Sequence, residues 1–204
     1  MAATLPTTVP KQERSAATRE RLLDAAVDEL VASGFSGLTT AAVSARAGVS
    51  RGAQQHHFPH RNTMLAQAVR QLARRQVAEA HEMLAAAPEG RARVEHALEG
   101  IFRAYSGRLF AASVELSLAA RHDSDLQPVI REHERAVSRS LSDLDREIFP
   151  ASVVSEADFP ARWATALGAM RGIAMLRLLG HPAAAVDRQW AAAKRELLAP
   201  LLGE

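Results

Sequence analysis

Six arginines (Arg46, Arg51, Arg61, Arg70, Arg74 and Arg75) and three histidines (His56, His57 and His60) fall between Leu30 and Ala78, where there is no aspartate or glutamate. The chain carries 23 acids, all outside that window. A surface built from such residues suits a polyanion, because an acid would repel phosphate and each arginine releases counterions on contact. Groupings for catalysis are missing. With no cysteine there is no thiolate nucleophile, disulfide or thiolate zinc site. There is also no glycine-rich phosphate loop, Gly-x-Ser-x-Gly, His-Glu-x-x-His or Glu-x-x-His pair. His56 and His60 stand four apart, but Pro59 interrupts a helix between them, which argues against a metal site. We expect no enzyme, no metal and no cofactor.

The formal charge is only +2, from 25 basic and 23 acidic residues, so its distribution informs more than its total. Aromatics make up 4% of the chain while alanine and leucine abound, which favours helices packed on helices. At 204 residues there is length enough for a sizeable core. No run approaches the roughly 18 apolar residues of a membrane span. Residues 1–10 lack the basic and apolar regions of a signal peptide. A soluble, cytoplasmic protein with no membrane partner is expected.

These side chains need helices to position them. Residues 1–13, rich in threonine and proline, read as a flexible arm. Residues 18–33 place Leu23, Val27, Leu30 and Val31 on one helical face, closed by Gly34. Thr39 caps a helix through Ala47, Ser50 caps another through Phe58, and residues 60–86 form one long helix. Further helices are expected over residues 91–106, 109–121, 126–149, 156–179 and 183–202, punctuated by Gly107, Pro150 and Gly180. No strand pattern appears. The expectation is an all-α chain of about nine helices: a three-helix head at 14–62 and a larger helical domain at 63–204.

Within the head, residues 38–58 read as a helix-turn-helix. Two closely crossing helices need a small residue at the crossing and a glycine at the turn, and Ser44 and Gly48 supply them four apart. Val43 and Val49 flank them as apolar anchors. Residues 50–57 then form the recognition helix, whose N-terminal end would enter the major groove. A helix-turn-helix inside an acid-free window makes double-stranded DNA the leading partner.

The order TRERLLDAAVDELVASGFSGLTT, then ARAGVSRGA, then His57-Phe58-Pro59 resembles the DNA-binding head of the TetR family of one-component transcriptional regulators. The resemblance covers about residues 18–65; beyond it the likeness is architectural, save that ELSLAARHDSDL is similar to a stretch seen in many members. It implies a homodimer on operator DNA of two half-sites, a small-molecule effector in each C-terminal bundle, and most often a repressor released by that effector.

The same resemblance implies roles for single residues. Thr40 matches a phosphate-contacting position, although a second cap would explain it equally well. Ser50, Arg51 and Ala53 begin the recognition helix. Arg51 would read guanine O6 and N7, and the Ala53 methyl would meet a thymine methyl. Gln55, His56 and His57 occupy slots of aromatic or polar DNA contacts, and Arg61 matches a frequent phosphate-gripping lysine. The family usually has leucine and tyrosine where this chain has Gln54 and Gln55. If Gln54 points inward its amide must find a partner; if outward, it would read adenine. Arg70, Arg74 and Arg75 extend phosphate contact or line a solvated face, the latter being the commoner outcome.

In the bundle, Ala164, Gly168 and Gly172 recur at four-residue steps, a row that admits another helix closely. The family places the dimer interface on the last two helices, which assigns Trp163, Leu167, Gly168, Arg171, Gly172 and Leu178 to it, with Trp190 as an edge anchor. Internal packing is the alternative. His81, Phe102, Arg103, Tyr105, Phe110 and Met170 are candidate pocket residues, though core packing explains the apolar ones too. A helical protein-interaction module without DNA binding would account for the bundle but not for the missing acids.

Overall fold

The computed structural model describes residues 11–204, without the side chains of residues 11, 138 and 140–143. Among the described residues there are ten helical segments and no strand. Most of the expected flexible arm lies outside them, but residues 11–13 are helical. Helix α1 runs Lys11–Gly37, interrupted at Gly34, whose φ of 69° is open to glycine and strained for other residues. Gly34 thus stops the long helix where the glycine predicts, and one extra turn follows it. The remaining helices are α2 Thr40–Ala47, α3 Arg51–His57, α4 Arg61–Ala85, α5 Arg91–Tyr105, α6 Arg108–Ala120, α7 Leu126–Ile148, α8 Ala151–Val154, α9 Phe159–Leu178 and α10 Ala183–Leu202. Helix α8 was not anticipated. The helix expected over 156–179 starts later, with Asp158 at its N-cap and a proline in its first turn.

The chain forms two compact units, the first ending at Gln71 and the second spanning Leu72–Glu204. Helix α4 contributes to both. In the first unit Leu22, Leu23, Val27 and Leu30 of α1 are buried, as are Leu38, Val43 and Phe58, together with Met64, Leu65, Ala68 and Val69 of α4. Two hydrogen-bonded pairs link α1 and α4: Arg19 Nη2 donates to Gln67 Oε1, and Gln71 Nε2 donates to Asp24 Oδ1 at 2.9 Å. About three turns of α4 thus belong to the head.

The second unit is built on a continuous apolar core from α5, α7, α8, α9 and α10. Phe102 stacks on Trp190 with centroids 4.5 Å apart and planes 9° from parallel. Phe149 meets Phe159 and Trp163 edge-on at 5.0 and 5.1 Å. Both indoles satisfy their N–H groups, Trp163 on Asp145 Oδ1 at 2.6 Å and Trp190 on Glu99 Oε2 at 3.0 Å. Lys194 Nζ also donates to Glu99 Oε2, at 3.0 Å. Neither tryptophan is an edge anchor: they are 7% and 3% exposed and complete the unit's own core. The placement of Trp163 and Trp190 at a dimer interface is therefore corrected. Among the described residues no helix is long and apolar enough to cross a membrane.

Candidate nucleic-acid interface

The α2–α3 corner is made by local hydrogen bonds. Thr39 Oγ1 accepts from Ala42 N at 3.1 Å, so Thr39 alone caps α2 and Thr40 is not a second cap. Ser44 is buried and its hydroxyl donates to the Thr40 carbonyl at 2.7 Å, keeping the crossing narrow. Gly48 ends α2 at φ 63° and donates to the Ala45 carbonyl, while Val49 N reaches the Ser44 carbonyl at 3.1 Å. Ser50 Oγ then accepts from Ala53 N at 3.2 Å and starts α3.

Helix α3 divides its residues by side. Arg51, Gln55 and His56 are exposed, Ala53 and His57 are half-buried, and Gln54 and Phe58 are buried. Gln54 lies inside the head, where its Nε2 donates to the Phe58 carbonyl at 2.9 Å. The outward, adenine-reading orientation of Gln54 is thereby replaced by an inward one with a satisfied amide. His56 and His57 rings meet edge-on with centroids 5.4 Å apart. Burial, with repulsion from His56 and Arg19, holds the pKa of His57 below the ordinary 6.5, so its neutral form is favoured.

Arg61 is exposed at the start of α4, yet it is aimed. Its Nε donates to the Leu38 carbonyl at 3.3 Å and its guanidinium lies over the Phe35 ring at 5.1 Å. The turn following Gly34 thus supplies the seat for this cation. Arg46 differs: its Nε donates to Glu29 Oε2 at 2.7 Å, and Ser33 Oγ donates to the other carboxylate oxygen at 2.8 Å. These two hydrogen bonds, Ser33 first, hold the Glu29 carboxyl below its ordinary pKa. One arginine of the acid-free window is therefore matched by an acid just outside it. Further along α4, Arg70 and Arg74 are exposed and Arg75 is half-buried.

The second unit holds an open cleft of about 490 Å³ lined by Glu79, Met83, Gly100, Arg103, Ala104, Gly107, Arg108 and Leu109. Of the expected pocket residues only Arg103 lines it. Phe102 and Met170 are buried in the apolar core, His81 is exposed, and Tyr105 and Phe110 pack on each other at 5.0 Å. Met83 seats against Gly100, where a Cβ would lie 2.5 Å from its Cγ. On α9, Gly168, Arg171, Gly172 and Leu178 are exposed, Leu167 is half-buried, and nothing lies within 4 Å of a Cβ built on either glycine. The alternative of internal packing at these glycines is thus removed.

A capped α2, an αL glycine turn and a seven-residue α3 presenting arginine and polar side chains compose a helix-turn-helix reader. The family model for bacterial regulatory proteins of the tetR family matches residues 22–68, which span this motif. An HTH-type transcriptional regulator of Mycobacterium tuberculosis, Rv2912c, is 29% identical over 167 residues, 82% of this chain and 86% of that protein. Residues 22–68 thus form a DNA-binding head of the TetR type. The chain resembles solved structures over nearly its whole length. A transcriptional regulator from Rhodococcus sp. Rha1 shares 25% identity and a TM-score of 0.62, with 91% of this chain and 96% of that chain covered. The multidrug binding protein EbrR, solved with proflavin, shares 25% identity and a TM-score of 0.55 over 87% of this chain and 98% of that one. The regulator is a DNA-binding transcription factor and not an enzyme. The reading as an interaction module without DNA binding does not account for the family match over the head.

Proposed function

We propose that this regulator is a cytoplasmic repressor that binds an operator of two half-sites as a homodimer and is released by a small molecule. The observation that carries the DNA side is the sorting of α3: Arg51, Gln55 and His56 face solvent while Gln54 and Phe58 anchor the helix from beneath. Arg51 at the N-terminal end reads a guanine edge, Ala53 meets a thymine methyl, and Gln55, His56 and His57 complete the contact. Thr40 and Ser50, at the helix starts, and the seated Arg61 hold phosphates. The unit ending at Gln71, and not residues 14–62 alone, carries operator recognition, and Leu72–Glu204 carries effector binding and dimerisation.

The effector site is assigned to the cleft at Arg103, since a large concavity with an apolar floor and a few charged groups is the usual form of such sites. EbrR, a relative of the same fold, binds proflavin. The dimer is assigned to the exposed, small-residue face of α9 at Gly168 and Gly172, continued by Arg171 and Leu178. An effector that prefers one arrangement of the dimer shifts its population away from head spacings of roughly 34–36 Å, which successive major grooves require. The deciding experiment is a mobility shift on duplexes enriched from a random pool, followed by a thermal-shift screen of small metabolites with and without that duplex. A compound that raises the melting temperature of the free protein and dissociates the complex supports the reading; a protein that enriches no duplex ends it.

A further inference from the structure

The recognition helix is too short to stand by itself. Seven residues fall well under the roughly 12–15 at which an isolated helix becomes marginally stable in water. Its last turn, which carries Gln55, His56 and His57, depends on what fixes its C-terminal end. Phe58 is that end. Its N–H donates to the Gln54 carbonyl at 2.8 Å, and its φ of −138° and ψ of 83° take the chain out of the helix. Pro59 has no N–H with which to return to the helix. The Phe58 carbonyl, on a residue that is fully buried, accepts from a side chain, Gln54 Nε2 at 2.9 Å. Gln54 and Phe58 thus clasp one another twice, main chain to main chain and side chain to main chain. A third hold lies on the ring, where the Arg19 guanidinium of α1 sits 5.6 Å from the Phe58 centroid while donating to Gln67 of α4.

We propose that Gln54 is a positioning residue for operator recognition: its buried amide holds the last turn of α3 by donating to the Phe58 carbonyl, and so sets the aim of Gln55, His56 and His57. The inference rests on the operator-binding reading of α3. Gln54 itself touches no DNA, being 2% exposed with its amide turned inward. Without the donor, the Phe58 carbonyl is buried and unmatched, and the last turn frays to bring it to water. Base selectivity is lost in that case, while phosphate contacts made by Arg61 and by the start of α2 remain.

The test uses the full chain, a duplex enriched from a random pool by the wild type, and an unenriched duplex as the non-specific probe. Gln54→Met has nearly the side-chain length but no donor. It should bind the enriched duplex about tenfold more weakly, the loss of one buried hydrogen bond, with binding to the unenriched duplex and its salt slope unchanged. Gln54→Glu can donate only when protonated. Its affinity relative to wild type at each pH should match that of Gln54→Met above neutrality and recover as pH falls. Equal loss on both duplexes, wild-type affinity for the enriched duplex, or a Gln54→Glu ratio flat in pH would overturn the proposal. Should the variants unfold, amide exchange in the wild type decides: Gln54 side-chain protons exchange far more slowly than those of exposed Gln55, and equal rates overturn it. A wild type that enriches no duplex defeats the operator reading and this inference together; a binding wild type beside an unaffected Gln54→Met defeats the inference alone.

Discussion

Glu29 and Arg46 pair at 2.7 Å, joining α1 to the first helix of the helix-turn-helix, α2, and cancelling one charge of the arginine-rich window. Ser33 holds the same carboxylate from its other side. The pair orders the corner on which α3 is mounted, and it removes Arg46 from the free cations of the surface.

Glu29→Gln should therefore have two opposite effects. The head loses about 1 kcal/mol, a modest figure because Arg46 is 40% exposed and screened by water. Arg46, once released, should steepen the salt dependence of non-specific DNA binding by up to about one unit. Salt titrations by fluorescence anisotropy check this, and an unchanged slope means that Arg46 meets no phosphate even when free. Because the Glu29 carboxyl titrates below its ordinary value of 4.5 in the folded head, its contribution is complete above that value. It is lost as pH falls through the lowered folded pKa, so acid unfolding of Glu29→Gln should show less of this step.

Arg51 is exposed at the first turn of α3 and should act on bases. Arg51→Ala is expected to cost about 1–3 kcal/mol at one operator position and to relax selectivity there. Selection from an operator library reads this directly. Unaltered selectivity would take Arg51 off the list of base readers.

Arg61 should behave differently. Arg61→Ala is expected to weaken all duplexes alike and to reduce the salt slope by about one. Phe35→Leu removes the ring under the guanidinium without removing the charge, and should give a smaller loss in the same sense. If Phe35→Leu matches wild type, the ring does not position the cation.

The exposed face of α9 and the buried tryptophans separate assembly from folding. Gly168→Asp should yield folded monomers on a sizing column, since a Cβ there meets nothing within 4 Å in the protomer. Trp190→Ala should instead lower the melting temperature, because it empties the stack on Phe102 and leaves Glu99 with one donor fewer, a change of about 3–5 kcal/mol. A dimer surviving Gly168→Asp would move the interface to another face.

Gly100→Ala probes the cleft. The new methyl would fall 2.6 Å from the Met83 sulfur and must push that side chain aside. Overpacking of about 1–3 kcal/mol outweighs the roughly 1 kcal/mol gained in helix propensity, so a net loss in denaturant stability is expected. A more stable variant would show that Met83 relocates freely.

Caps, turns and helix breaks were legible from residues three or four apart, because the hydrogen bonds that make them span that distance. Thr39 on Ala42, Ser50 on Ala53 and the stop at Gly34 are of this kind. The arginine window could be found in the same way, as a run of composition. Partners far apart in sequence could not: Glu29 lies 17 residues from Arg46, and Trp190 lies 91 from Glu99. Nor does helical periodicity say what covers an apolar face, so Trp163 and Trp190 read as interface residues until α5, α7 and α9 closed over them. Gln54 stood between two orientations for a related reason. A glutamine matches either a base edge or a buried carbonyl, and only the path of the chain through Phe58 to Pro59 supplies the carbonyl. Local hydrogen-bonding chemistry thus determined the elements and their ends, while burial and long-range pairing, which exist only once the helices pack, assigned each side chain to the surface, to core or to a partner within the head.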